Sequence, residues 1–274
     1  MNPVQFARKS FLILCLAGLA AGASAQTGDA TDYQPQVGQE GKDVVWVPTP
    51  DTMVQKMLDM AKVTAKDFVM DLGSGDGRTV IGAAKRGARA LGVEYNPDMV
   101  ELAKRNAAKE GVTEKAQFVK ADLFETDFSK ATVITMFLLP DINIKLRPKI
   151  LNLRPGTRIV SNSFTMGEWK ADQTANVKEN CTTYCTALLW IVPAKVDGSW
   201  QVGDGELKLK QEFQMLTGTL ASGGSETSVK GQMRGDRISF TAGNATYSGR
   251  VNGSSIVDGT VKGGASDKWT ASKK

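Results

Sequence analysis

The chain has 274 residues, 41% of them hydrophobic and 23% charged, with a formal net charge of +5 and no histidine. That composition is globular, and the length accommodates one large domain or two smaller ones. Without imidazole the chain holds no Ser-His-Asp triad, Cys-His pair or HExxH zinc site, so any catalysis rests on carboxylates, Tyr, Lys, backbone donors or a bound cofactor.

Residues 1–25 read as a cleavable secretory signal. Arg8 and Lys9 give a positive start, Phe11 to Ala17 an apolar middle, and Ala23-Ser24-Ala25 a small-x-small cleavage site. The expectation is an exported, periplasmic protein. The apolar run is short for a bilayer, and no transmembrane segment is expected in the mature chain. Loss of Arg8 and Lys9 lowers the net charge to +3. So small a charge, with no basic run interleaved with aromatics, does not support nucleic-acid binding. With no histidine and only Cys181 and Cys185 surviving, no metal site is expected. Those two cysteines either pair across a tight turn or stay as free thiols.

Residues 26–45 are polar and rich in Gln and Gly and are taken as a flexible arm. Pro48-Thr49-Pro50 is either an arm over a ligand or, preferentially, a device for entering a helix that Asp51 caps. Val54, Met57, Leu58 and Ala61 then recur at helical spacing. From here to residue 195, strands and helices alternate: Phe68–Leu72, a helix through Ala84, Leu91–Val93, and a helix opened by Asn96 and Pro97. Gln117–Ala121, Ala131–Leu139, Thr157–Ser161 and a closing strand at Leu188–Val192 follow. The fold class expected for residues 46–195 is α/β, a Rossmann-like, mostly parallel sheet with helices on both faces.

After residue 195 the chain changes character. Half of its 28 glycines lie between Gly198 and Gly264, among short alternating runs such as Leu207-Lys208-Leu209 and Ile238-Ser239-Phe240. Residues 196–274 are therefore expected to form a small antiparallel β-meander or barrel. Trp169, Trp190, Trp200 and Trp269 are assigned to cores.

The main chemical signal is Asp71-Leu72-Gly73-Ser74-Gly75-Asp76-Gly77-Arg78, where a strand ends and a helix begins. Gly73, Ser74, Gly75 and Gly77 let the backbone turn and approach a ligand closely. A dinucleotide fingerprint would space its glycines G-x-G-x-x-G, and the acid Asp71 would repel a pyrophosphate. An acid there suits a ligand carrying an ammonium group. Glu94, at the end of the next strand, can accept both hydroxyl protons of a ribose. Asp122, ending the third strand, is placed to receive an adenine amino group. Ammonium, ribose and base in that order fit S-adenosylmethionine (SAM) better than NAD. Tyr95 is placed either on the adenine or in simple packing.

The stretch from Phe68 to Val160 resembles class I SAM-dependent methyltransferases: Asp71 to Gly77 is similar to their motif I, Glu94 to the motif II acid, and Asp122 to the adenine-side acid. Val47-Pro48-Thr49-Pro50, the glycine loop, Gly92-Val93-Glu94, Phe137-Leu138-Leu139-Pro140 and Arg158-Ile159-Val160-Ser161, in that order, resemble a narrower group. That group is the protein-lysine methyltransferase family that includes the mitochondrial ATP synthase c-subunit lysine methyltransferase. The resemblance implies SAM as cofactor and a protein or small-molecule methyl acceptor, a lysine side chain being the specific suggestion. It also implies that Phe137, Leu138, Leu139 and Pro140, after the fourth strand, shape the acceptor slot. The other reading of that segment is a buried strand end followed by a helix that Asp141 caps. Asn162-Ser163-Phe164 is a further lining candidate. The signal and the glycine-rich C-terminal region depart from those enzymes. The alternative is a non-catalytic adenosyl-binding module whose β-domain contacts a partner or the envelope.

Overall fold

In the computed structural model, residues 33–264 and 266–274 are described; the signal reading and the first part of the arm lie outside them. A helix, α1 (Asp51–Met60), leads into β1 (Phe68–Leu72), α2 (Arg78–Lys85), β2 (Arg89–Glu94), α3 (Pro97–Lys109) and β3 (Ala116–Lys120). The second half of the layer runs β4 (Val133–Met136), α4 (Pro140–Ile150), β5 (Arg158–Asn162), β6 (Gln173–Asn176) and β7 (Thr186–Ile191). These strands form one seven-stranded sheet in the order β3-β2-β1-β4-β5-β7-β6. The first five run parallel, and β7 returns antiparallel to β5.

Alternation along each strand sorts side chains to two cores. Val69, Val133, Val160 and Leu189 pack with α1, α2 and α3, whereas Met70, Ile134, Ile159 and Trp190 pack with Ile142, Leu146 and Ile150 of α4. Helices therefore cover both faces, as the alternating pattern requires.

Several local expectations need correction. Asp51 does not cap α1: Pro50 holds the cap position, and its carbonyl receives the amides of Met53 and Val54. Proline has already fixed the backbone there, so Asp51 becomes the first helical residue and serves the helix dipole instead. Likewise Asp141 does not cap α4, since Leu139 stands at the cap and Pro140 is the first helical residue. The fourth strand is only Val133–Met136, because the chain leaves the sheet before Phe137. The strand expected to close the sheet is flanked by the polar β6, Gln-Thr-Ala-Asn, which has no hydrophobic pattern to announce it.

Eight further strands follow: β8 (Gly198–Val202), β9 (Gly205–Glu212), β10 (Met215–Ser222), β11 (Ser225–Arg234), β12 (Arg237–Ala242), β13 (Ala245–Asn252), β14 (Ser255–Lys262) and β15 (Lys268–Lys273). They form a closed antiparallel barrel, shut by β15 pairing with β8. Closure removes the exposed strand edges that an open meander would carry. Trp200, Leu207, Ile238, Phe240 and Trp269 fill its interior.

From Pro35 onward the sheet layer and the barrel are one compact unit. Phe213, in the turn between β9 and β10, stacks on Trp169 of the sheet layer at 6.0 Å with planes 10° apart. Its φ is +52°, a left-handed conformation unfavourable for a bulky residue. Gln214 donates to the Lys170 carbonyl, and Ala194 N–H donates to the carbonyl of Gly235. The turn is thus held strained by what it docks on.

Candidate functional site

The carboxyl ends of β1, β2 and β4 open on one cleft. A cleft at that end, where strand order reverses from β1–β2 to β1–β4, is where doubly wound sheets bind ligands. Asp71, Gly73, Ser74, Gly75, Glu94, Asp122, Phe137 and Leu138 line it, together with residues 39–49.

Asp71 is the deepest of the acids, 6% exposed. Its register partner on β4 is Thr135, whose hydroxyl donates to the Asp71 carboxyl at 2.6 Å. Burial pushes the Asp71 carboxyl up to about 7; the Thr135 hydroxyl opposes that shift, while the charges of Glu94 and Asp76 reinforce it. A buried carboxyl so perturbed favours a cationic neighbour, which would let it ionise.

On the other side of β1, Asp71 faces Gly92, and there the missing side chain matters. A Cβ at Gly92 would come within 2.5 Å of Ser74 Oγ, so this glycine makes the room in which the loop sits. The amides of Gly73 and Ser74 donate to the Val93 carbonyl, and Gly75 N–H donates to Glu94 Oε2 at 2.9 Å. These loop donors already have protein partners, so the loop is not an anion cradle of the pyrophosphate type. Glu94 also accepts from the amides of Tyr95 and Asn96, which fixes its carboxylate at the cleft wall. Asn96 caps α3 by accepting from Asp98 N–H.

The remaining predicted residues divide. Gly77 does not line the cleft; a Cβ there would lie 2.7 Å from the Phe118 ring and 2.9 Å from Ala103 Cβ. With φ at +84°, it caps α2 and packs the helix against the sheet. Asp122 is at the cleft but engaged: it pairs with Lys42 and accepts from Phe124 N–H, and the Lys42 hydrogen bond holds its carboxyl below the usual range. Phe137 and Leu138 form cleft wall, whereas Leu139 is exposed and Pro140 has entered α4. Tyr95 is not packed away; it stands 49% exposed on the cleft rim, with the Lys42 ammonium 4.8 Å from its ring.

Two contributors carry no clear mark in the sequence. Thr135 is hidden in an apolar run, marked only by a hydroxyl among Val, Ile and Met. The segment from Gly38 to Trp46 folds back on itself through reciprocal backbone hydrogen bonds, Gly38 to Trp46 and Trp46 to Gln39, and covers the cleft. Its Trp46 indole would lie 2.8 Å from a Cβ on Gly75, and Arg78 ties the Thr49 carbonyl to α2. Of the two readings of Cys181 and Cys185, the structure bears out the pair: they are disulfide-bonded, in a loop just before β7.

A cofactor with ammonium, ribose and base fits this cleft by an observation independent of the acids. Ser74 Oγ is buried at the loop without a hydrogen-bond partner among the described residues, and Gly73 and Gly75 on either side of it bring no side chain of their own. The fold and the cleft together are those of a SAM-dependent methyltransferase domain. A family model for the ANTKMT methyltransferase domain matches residues 71–173. A protein-lysine N-methyltransferase of Saccharolobus islandicus is 43% identical over 152 residues, 54% of this chain and 94% of that one. The human lysine N-methyltransferase of the ATP synthase c-subunit is 33% identical over 128 residues, 46% of this chain and 54% of the human protein. A crystal structure described as an RNA methyltransferase from Salinibacter ruber, in complex with S-adenosyl-L-homocysteine, is 45% identical. It covers 55% of this chain and 96% of that one, with a TM-score of 0.52. The chain belongs to the protein-lysine N-methyltransferase family, and it is an enzyme that uses SAM.

Proposed function

We propose that the protein methylates the ε-amine of a lysine in a protein acceptor by direct in-line displacement. The observation that carries the reading is the row of three acids at the ends of β1, β2 and β3, with the Phe137–Leu138 wall beside the first. When bound, SAM supplies an electrophilic methyl on a sulfonium. Asp71, oriented by Thr135, is assigned to the ammonium end. Glu94, fixed by three backbone amides, takes the ribose hydroxyls, and Asp122 takes the adenine side. Gly73, Ser74 and Gly75 let the cofactor lie against the backbone. Phe137 and Leu138 exclude water along the transfer line, so alignment and desolvation provide the chain's own share of catalysis. The acceptor amine must arrive neutral, its proton passing to water.

A protein acceptor is supported by the lysine enzymes of Saccharolobus islandicus and of the human ATP synthase c-subunit, and by the absence of a basic, aromatic-interleaved run in the sequence. Among the described residues no helix is long and apolar enough to cross a membrane. Export to the periplasm is supported by the signal-like residues 1–25 and by the Cys181–Cys185 disulfide, which suits an oxidising compartment. The non-catalytic binding reading is not favoured, since the relatives over this domain are catalysts.

The test is calorimetric titration of the chain with SAM and its demethylated product, followed by tritium transfer from labelled SAM to poly-L-lysine and, in parallel, to RNA. Cofactor binding with label on poly-L-lysine and none on RNA is expected. Label on RNA alone would overturn the lysine reading, and no cofactor binding would overturn the site. Fractionation of expressing cells should find the shortened chain in the periplasm; a full-length cytoplasmic chain would refute export.

A further inference from the structure

Beyond the cofactor cleft, three aromatic rings from three separate segments meet at the same end of the sheet. Phe137 follows β4, Phe164 follows β5, and Tyr184 precedes β7; β7 lies beside β5 and runs opposite to it, so its start joins their ends. The Phe137 and Phe164 rings stack at 5.7 Å with planes 18° apart. Tyr184 sits edge-on to Phe137 at 5.1 Å and 5.7 Å from Phe164. Core aromatics would be buried, but Tyr184 is 42% exposed and the other two are only half-buried. Phe137 belongs to the cleft wall as well, so the cluster continues the cleft outward.

The backbone under this cluster is held in unfavourable conformations. Tyr184 has φ +57° and Ser163, next to Phe164, has φ +60°. Such strain persists only where the surroundings impose it, and it gathers at functional sites. Here the imposing contacts are specific. The Cys181–Cys185 disulfide closes the loop carrying Tyr184. Ser163 N–H donates to the Thr186 carbonyl at 2.7 Å, and Asn143 Nδ2 donates to the Phe164 carbonyl. Packing of a surface loop alone would not need a strained tyrosine pinned by a crosslink.

We infer that Phe137, Phe164 and Tyr184 form an aromatic platform that binds the acceptor's lysine side chain at the mouth of the cleft, with the disulfide holding Tyr184 in place. The inference rests on the lysine reading of the cleft. The rings touch one another, so the acceptor lies across them: its methylene stem covers apolar ring surface, and its ammonium is drawn to the ring faces before it loses its proton. Tyr184 is a positioning residue for binding, and the methyl transfer itself occurs beyond Phe137.

The test uses the full chain, tritiated SAM and poly-L-lysine, with SAM affinity measured separately by calorimetry. Tyr184→Ala is expected to raise KM for poly-L-lysine about five- to thirtyfold, the equivalent of ~1–2 kcal/mol of ring–cation attraction, with kcat and SAM affinity within about twofold of wild type. Tyr184→Phe should restore the wild-type KM, because the ring face and not the hydroxyl acts. Reduction of the disulfide, or Cys181→Ser with Cys185→Ser, should raise KM in the same direction. An unchanged KM in Tyr184→Ala overturns the platform, as does a loss confined to kcat or a loss of SAM binding. If the wild type binds SAM but transfers nothing to poly-L-lysine, the lysine reading itself falls and the platform with it.

Discussion

Thr135 Oγ1 donates to Asp71 Oδ1 at 2.6 Å across the β1–β4 register, and it does so inside a core where Asp71 is otherwise deprived of water. This one hydrogen bond favours the ionised carboxyl against burial, which alone would keep it protonated.

The pH dependence follows from that balance. In the free protein the Asp71 carboxyl titrates near 7, above its ordinary 3.8, so the fold holds this proton more tightly than the unfolded chain does. Stability of the free protein should therefore fall as pH rises from about 4 towards 7 and level off above. SAM affinity should move the other way, strengthening as pH rises through 7, because its ammonium needs the carboxylate. Thermal melts and calorimetry between pH 5 and 8 check both signs. Asp71→Asn should flatten both profiles and weaken SAM binding at pH 8. Thr135→Val should shift the binding midpoint to higher pH.

Glu94→Ala should weaken SAM binding by roughly 1.5–3 kcal/mol, the scale of hydrogen bonds to a charged group. It also releases Gly75 N–H, whose acceptor is Glu94 Oε2. Glu94→Gln keeps an oxygen for that amide and should lose less. Equal affinity in wild type and Glu94→Ala would move the ribose elsewhere.

Gly75 and Gly77 should fail differently. A side chain at Gly75 meets the end of Trp46 and enters the cleft, so Gly75→Val should fold and lose SAM binding. One at Gly77 drives into the Phe118 ring and Ala103 between helix and sheet, so Gly77→Val should lower the melting temperature outright. Circular dichroism melts beside cofactor titrations separate the two.

Phe213→Ala should remove the ring that stacks on Trp169 and lies 5.3 Å from the Arg147 guanidinium. The expected loss is about 1–3 kcal/mol of stability, with the left-handed strain retained, because alanine keeps the Cβ that causes it. Phe213→Gly, which relieves the strain fully but also deletes the ring, separates the two effects. Denaturant unfolding with the sheet and barrel losing cooperativity together is the outcome to look for.

Much of the site is legible in the sequence because its signals are local. Asp71, Glu94 and Asp122 each end a strand, and strand ends can be found from short apolar runs followed by turn residues. Parallel strands then carry those ends to one side of the sheet whatever the loop details. The capping roles expected of Asp51 and Asp141 fail for an equally local reason: a proline immediately before each carboxylate takes the helix start for itself.

The residues that escape such reading are those whose partners lie far along the chain. Thr135 is separated from Asp71 by 64 positions, and only the β1–β4 pairing makes them neighbours. Lys42 reaches Asp122 across 80. Tyr184 meets Phe137 because β7 runs antiparallel beside β5, a reversal that nothing in its own residues encodes.

The amino-acid sequence by itself determined the class of fold, the cofactor chemistry and the change to an antiparallel β region near residue 195, since each depends on periodicity and on residue types at short range. Only the tertiary structure decided which acid is buried, which is already paired, which glycines line the cleft, and how the barrel closes and docks. Those outcomes depend on strand order and on desolvation by distant neighbours, and burial changes the energy of a charge or a ring far more than its place in the chain does.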